Sequence, residues 1–219
     1  MSVAPLGLPW FALAVLQALQ LAALAVALRY APWRELAAVP LRVHLVFGAL
    51  LGLVLLWLVA ARPIPLLHVH LLGMTAVTLT LGPALAVLVG AAAQVVVDAL
   101  GGSLSANTLA DAMLNATLPA LITALALRVA MQRGPRNLFV YMLGVGFFGG
   151  GLAMLATGGA VMLLAAFLGV AGAPPTFPVL LVLLMLPEAF VNGAIVTGLA
   201  VYAPDLMKTF SERHFLPSD

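Results

Sequence analysis

The sequence predicts an all-α, polytopic integral membrane protein: one helical bundle over residues 1–219 with about seven transmembrane helices, its N-terminus outside and its C-terminus cytoplasmic. Of the 219 residues, 64% are hydrophobic and only 7% are charged, and the mean hydropathy is +1.20. A soluble core of this length cannot use so much apolar surface. Long apolar runs recur along the chain, and no linker or charge block divides it into domains.

The individual helices are predicted from apolar runs of about 20 residues, the length that crosses the hydrocarbon core. Five runs qualify directly: 8–28, 43–61, 108–131, 138–170 and 177–202. A further run, 66–100, is too long for one ordinary span. Gly82 and Pro83 lie near its middle, and proline removes a helical donor and clashes with the preceding turn. The run therefore divides into two short spans, 66–81 and 84–100.

The basic residues favour that division, because cytoplasmic loops concentrate Lys and Arg. With seven spans, eight of the nine basic residues fall inside, and only Arg62 falls outside. A single span over 66–100 would move five of those eight outside. The expected location is a bacterial inner membrane, with the lipid bilayer as a partner. The formal net charge of +2 is too small to indicate a nucleic-acid-binding surface, so no nucleic-acid partner is expected.

Polar residues within the apolar runs gather at the outer face in this topology, and ionisable groups in membrane spans indicate functional sites. Imidazole and carboxylate suit nickel, cobalt, zinc or copper. The candidate metal ligands are His68, His70, Asp98 and Asp111. The expected supporting polar residues are Gln94, Asn107, Asn115, Glu188 and Asn192.

Each candidate ligand also has a structural interpretation. On a helix His68 and His70 point about 200° apart, so both reach one ion only where the segment is extended. Otherwise they sit at the interface with their tips in water. Asp98 can be a solvated carboxylate at a helix end, and Asp111 an acid in the first turn of a helix.

Glu188 is predicted to lie near mid-membrane, where a carboxyl group needs a partner or a proton. A hydrogen bond to Asn192, an arginine partner and protonation are all open, and an interhelical hydrogen bond competes with a transport role. The glycine-rich span 138–170 favours a tight packing seam or a bent helix, since small residues let helices approach closely. A broken helix at a substrate site is the alternative.

Several classes of chemistry find no support in the sequence. There are no cysteines, which excludes disulfides and thiolate metal sites. No phosphate-binding loop, nucleophile elbow or His-Glu-x-x-His motif is present, so the chain is not expected to be an enzyme. Active transport would need an ATPase on a partner subunit.

Three stretches resemble a known family. They are His70-Leu71-Leu72-Gly73 followed by Leu81-Gly82-Pro83, then Gln94 with the loop from Gly101 to Asn107, and finally the helix around Pro187-Glu188 and Asn192-Gly193. Together they resemble the membrane-embedded capture component of cobalt and nickel energy-coupling-factor ABC transporters, over residues 66–202.

The resemblance implies capture of a divalent metal from outside, with a transmembrane coupling protein and two cytoplasmic ATPases as partners. It makes His70 a metal-site histidine supported by Gln94 and Asn107. The chain departs from the family pattern at three places. It starts Met1-Ser2 rather than Met-His, Asn192 replaces an acidic residue, and Ala110 replaces a loop asparagine. The alternative function is a non-transporting structural or assembly subunit of a larger membrane complex.

Overall fold

The protein is an all-helical membrane bundle with one short β-hairpin. A computed structural model describes residues 7–59, 61–64, 67–135, 137–168, 177–210 and 215, and for 61–64 and 67–68 it describes the backbone alone. The helices are α1 (Trp10–Tyr30), α2 (Trp33–Ala38), α3 (Pro40–Leu58), α4 (Met74–Leu81), α5 (Pro83–Leu100), α6 (Asn107–Arg133), α7 (Val140–Phe167) and α8 (Phe177–Tyr202). The strands β1 (Ala61–Ile64) and β2 (Leu67–Val69) pair antiparallel between α3 and α4.

Six helices in the described part of the chain are long and apolar enough to cross a membrane: α1, α3, α5, α6, α7 and α8. Each of these six helices begins and ends within three residues of the corresponding predicted span. Proline at the first position starts α3 and α5, where its missing N–H costs nothing. Two segments are π-helical, Met113–Thr117 in α6 and Val140–Phe148 in α7.

The two ends of the bundle differ in charge. At one end, here called the basic face, the Arg42 guanidinium donates hydrogen bonds to the carbonyls of Leu206 at 2.9 Å and Asp205 at 3.2 Å. Lys208 forms an ion pair with Glu35 at the same end. The opposite face carries the loop between α5 and α6, where Gln17 Nε2 donates to the Ala106 carbonyl at 2.6 Å. The positive-inside rule predicts that the basic face is cytoplasmic.

The predicted third span, 66–81, is where the structure differs from the sequence prediction. Helix α4 has 8 residues and is about 12 Å long, against a hydrocarbon core of about 30 Å. Residues 67–73 before it are not helical. The third crossing therefore combines extended backbone with a half-helix.

Glycine fixes both ends of α4. Gly73, which precedes the helix, has φ +67°, and Gly82, which follows it, has φ +84°. L-residues rarely adopt these left-handed values. A Cβ at Gly73 would also lie 2.8 Å from Leu56 Cδ2. The break was predicted at Gly82 and Pro83, but the start of α4 at Gly73 was not.

Helices α7 and α8 pack through an interlocked glycine seam, as the glycine content of the span 138–170 predicted. A Cβ at Gly146 would lie 2.9 Å from Val196, and one at Gly158 would lie 2.2 Å from Leu181. Helix α8 also contributes a glycine to the seam, since a Cβ at Gly193 would lie 2.9 Å from the Cβ of Phe147 in α7. Helices this close are held by van der Waals contact, which is the main attraction between apolar helices in lipid.

After α8 the chain folds back under the basic face. Residues 203–210, here called the C-terminal strap, include the 3₁₀ turn Pro204–Leu206. The Lys208 N–H donates to the Thr80 carbonyl at 2.9 Å, and the Thr209 N–H donates to the Leu79 carbonyl at 3.3 Å. The strap therefore satisfies carbonyl groups in the last turn of α4.

The glycine seam predicts different effects on stability for two alanine substitutions in α8. Gly193→Ala should lower the free energy of unfolding by about 1–3 kcal/mol, because Phe147 must move to admit the methyl group. Gly198→Ala is the matched control, since a Cβ there meets nothing within 4 Å. It should be neutral or stabilise by up to about 1 kcal/mol through helix propensity. Thermal unfolding in detergent measures both, and equal effects would contradict the seam.

The ion pair at the basic face predicts a pH-dependent contribution to stability. The hydrogen bond from Lys208, aided by the nearby charges of Lys208 and Arg42, holds the pKa of Glu35 below its ordinary value. A folded-state pKa below the unfolded value adds stability above the unfolded pKa, and that stability is lost as the pH falls through the folded pKa. The difference in melting temperature between wild type and Glu35→Gln should therefore be present at neutral pH and vanish in acid. A constant difference would contradict the pairing.

Candidate functional site

The most unusual polar arrangement lies at the start of α4, in the middle of the membrane. Glu188 is the twelfth of the 26 residues of α8, about 17 Å from its first residue. Its side chain is fully buried, as is that of Asn192 one turn later. Both side chains face the N-terminus of α4.

The Glu188 carboxyl group accepts hydrogen bonds from backbone N–H groups at the entrance to α4. Oε2 accepts from Leu72 N–H at 2.7 Å, and Oε1 accepts from Gly73 N–H at 2.9 Å. Oε1 also accepts from Asn192 Nδ2 at 2.7 Å. An acidic group at a helix N-terminus is stabilised by unpaired N–H groups and by the helix dipole.

Asn192 completes this arrangement, here called the α4 cap. Its Oδ1 accepts from Ala76 N–H at 2.8 Å, and its Nδ2 donates to the Glu188 backbone carbonyl at 2.8 Å as well as to the Glu188 carboxyl. Of the alternatives for Glu188, the structure shows the hydrogen bond to Asn192, which lies one turn away in the same helix. Bonds from the Leu72 and Gly73 N–H groups add the link from α8 to the entrance of α4. The cap therefore comes from α8, because no α4 residue caps its own helix by a side chain.

His70 lies just outside the α4 cap, in the non-helical segment. It is half-buried, its Nδ1 lies 3.0 Å from the Leu71 carbonyl, and its ring centroid lies 5.3 Å from that of Trp57. Trp57 Nε1 in turn donates to the Leu72 carbonyl at 2.9 Å. The extended segment is thus attached to α3 by Trp57 and to α8 by Glu188.

A second polar group joins α5 to the π-helical segment of α6. Asn115 Nδ2 donates to Gln94 Oε1 at 3.0 Å, and Gln94 Nε2 donates to Asp98 Oδ1 at 3.0 Å. This α5–α6 polar chain runs from buried Asn115 to half-buried Asp98 near the opposite face. Gln94 and Asp98 lie one helical turn apart in α5, and Asn115 joins them from α6.

The segment that holds His70 and the α5–α6 polar chain lie on the same side of a tight helix contact in the core. A Cβ at Gly90 would lie 2.5 Å from Ala116 Cβ and 3.0 Å from Met74 Sδ. Met74 is the first residue of α4, and Gly90 lies one turn before Gln94. Both the segment holding His70 and the α5–α6 polar chain therefore lie between this contact and the opposite face.

The candidate metal ligands do not form one compact cluster in the described structure. Asp111 is buried, the His70 ring packs against Trp57 at an interplanar angle of 39°, and Asp98 accepts a hydrogen bond from Gln94. Within the described residues, no three His, Asp or Glu side chains lie close enough to hold one metal ion. The His68 side chain lies outside the described part of the chain, although residues 67–69 are extended, which is the backbone condition for two nearby histidines to share an ion.

Asn107, and Gln20 outside the predicted site, also differ from expectation. Asn107 is half-buried, and its backbone N–H and side-chain amide both donate to Ser105 Oγ rather than to the α5–α6 polar chain. Gln20 of α1 is fully buried and accepts a 2.7 Å hydrogen bond from Thr117, while its Nε2 has no partner among the described residues. The signal available in the sequence was a pair of glutamines, Gln17 and Gln20, within an otherwise apolar span.

No protein-family model, curated protein or solved structure matches this chain. Its function is therefore inferred from the chemistry of the α4 cap, the His70 segment and the α5–α6 polar chain.

The α4 cap predicts that Glu188→Gln is destabilising although it preserves shape. An amide has one acceptor oxygen, so its NH₂ group would face a backbone N–H and leave a buried donor unpaired. We expect a loss of about 1–3 kcal/mol in the free energy of unfolding. Asp98→Asn is the matched control, because its amide oxygen still accepts from Gln94 and should change stability by less than about 0.5 kcal/mol. Similar losses in both variants, measured by denaturation in detergent, would argue against the cap.

Proposed function

We propose that the chain is the substrate-capture subunit of an energy-coupling-factor type ABC transporter in a bacterial inner membrane. It takes up a divalent transition-metal ion of the cobalt or nickel kind. ATP is hydrolysed on cytoplasmic partner subunits that a transmembrane coupling protein joins to it. The chain itself catalyses no reaction in this proposal.

The observation that supports this proposal best is the interrupted third crossing. Non-helical backbone at membrane depth is tolerated where protein buries it or where it lines a solute path, and transporters place such breaks at their binding sites. Here the break places His70 and the carbonyl groups around it between α3 and α8. Imidazole and oxygen donors are ligands that late transition metals accept.

The position of the break favours entry from the face opposite the basic residues. The half-helix fills the half of the crossing nearest the basic face, and the extended segment fills the other half. The α5–α6 polar chain lies in that same half and ends at Asp98. We therefore expect a solute to enter from this half of the membrane.

A second candidate, a structural subunit of a larger membrane complex, is favoured by one specific feature. An apolar groove of about 410 Å³ lies between α3, α4 and α8. Gly48 and Gly52 line it one helical turn apart, and a Cβ at either would meet nothing within 4 Å. Paired small residues at this spacing suit close approach of another transmembrane helix.

Metal content distinguishes the two candidates. The protein, purified in mild detergent without a histidine tag, is incubated with nickel, cobalt, zinc or copper, and its bound metal is measured by mass spectrometry. We expect stoichiometric metal in wild type and in His44→Ala, which changes an exposed histidine at the basic end of α3. His70→Ala should bind at least about 10-fold more weakly, since removing even a supporting group of a metal site costs that much.

Wild type that binds none of the four ions would overturn the metal-capture proposal. Co-purification with a stable set of other membrane proteins in that case would support the structural subunit. Metal that His70→Ala retains at wild-type affinity would show that the bound ion does not depend on the His70 segment.

A further inference from the structure

We propose that the C-terminal strap is a releasable clamp on α4, and that its displacement from the basic face frees the half-helix to pivot about the α4 cap. The purpose of this movement, opening a solute path to the basic face, rests on the proposed function. The clamp itself is defined by contacts of α4 and is tested without any solute.

The strap supplies hydrogen bonds that α4 cannot make for itself. The last four carbonyl groups of a helix have no partner within it. The Thr78 carbonyl accepts from Gly82 N–H at 2.9 Å, which leaves the next two carbonyls to the strap. The Leu79 carbonyl accepts from both the N–H and the hydroxyl of Thr209, the latter at 2.7 Å, and the Thr80 carbonyl accepts from Lys208 N–H.

Tyr141 at the start of α7 holds the strap in this position. Its hydroxyl lies 2.8 Å from Thr209 Oγ1, and its ring packs 5.2 Å from the ring of Phe210 and 5.0 Å from that of Phe215. Met207 is buried in the same cluster. Thr209 therefore links α4 to α7 through one hydroxyl group.

The two ends of α4 are held in different surroundings. The α4 cap is fully buried in the membrane, where no water competes for its hydrogen bonds. In the strap only Met207 is buried, and the side chains of Lys208 and Glu35 are 37% and 46% exposed. Water and salt weaken exposed ion pairs. The strap end is therefore the end that can detach.

The surface around the strap is loosely packed, which leaves room for its displacement. A recess of about 300 Å³ lies between Arg42, Asp205 and Phe210, and another of about 320 Å³ lies beside Gly82 and Pro83. Lys208 lines both recesses. Gly82, with its left-handed backbone, joins α4 to α5 and provides the flexible connection that a pivot of α4 needs.

The test uses the absence of native cysteines. Leu81, the last residue of α4, is 3% exposed and is replaced by cysteine as the single reactive thiol. The rate of its reaction with a water-soluble maleimide reports release of α4 from the strap. Thr209→Val removes the hydroxyl that bonds the Leu79 carbonyl and Tyr141, and Thr209→Ser keeps that hydroxyl as the matched control.

We expect Thr209→Val to raise the labelling rate of the thiol about 2- to 10-fold, because that is the effect of losing about one hydrogen bond. Thr209→Ser should leave the rate near that of wild type. A cysteine at the exposed loop residue Ser103 should react at one rate in all three backgrounds. If Thr209→Val does not fold, Tyr141→Phe removes the hydrogen bond between α7 and Thr209 while the Thr209 bond to the Leu79 carbonyl remains. It should raise the rate by a smaller factor.

Equal labelling rates in the valine, serine and phenylalanine variants would overturn the clamp. Labelling is measured without metal, so the outcome separates the two proposals. If Thr209→Val raises the labelling rate and the wild-type protein binds no metal, the clamp is supported and the metal-capture proposal is contradicted. If the labelling rate is unchanged and the protein binds metal through His70, only the clamp is contradicted.

Discussion

The structure depends on one requirement: every backbone N–H and C=O group at membrane depth must be hydrogen-bonded within the protein. Helix α4 cannot meet this requirement alone, because in 8 residues half of the N–H donors and half of the C=O acceptors have no partner within the helix. Glu188 and Asn192 supply acceptors at its first turn, and the C-terminal strap supplies donors at its last turn. Both come from α8 or its continuation, so the final quarter of the chain supports the third crossing.

Composition was sufficient to predict the bundle, because apolar runs of membrane-spanning length leave few alternatives. The break at Gly82 and Pro83 was also predictable, since proline acts locally. The extended segment was not, because residues 66–81 are mostly apolar and their composition suits a membrane helix. What keeps 67–73 extended is Glu188, 116 residues from Leu72 in sequence, together with the left-handed backbone of Gly73. A long-range hydrogen bond of this kind has no local signal.

The candidate site was predictable to the extent that it follows helical spacing. Gln94 and Asp98 lie one turn apart and bond each other, and Asn115 joins them from α6. The relation of His70 to this group was not predictable, because it depends on where α4 begins. Trp57, which packs against His70 and donates a hydrogen bond to the Leu72 carbonyl, gave no polar signal in an apolar span. Glu188, predicted as part of a supporting shell, instead organises the backbone beside His70.

Residue-resolved amide hydrogen exchange over residues 70–82 tests most directly that α8 holds a half-helix at mid-membrane. In wild type, Leu72 and Gly73 should exchange slowly although they precede the helix, because both donate to Glu188. Their protection should fall in Glu188→Gln, while that of the α5 backbone stays unchanged. Uniform helical protection beginning near residue 66, or fast exchange at Leu72 and Gly73 in wild type, would contradict the account.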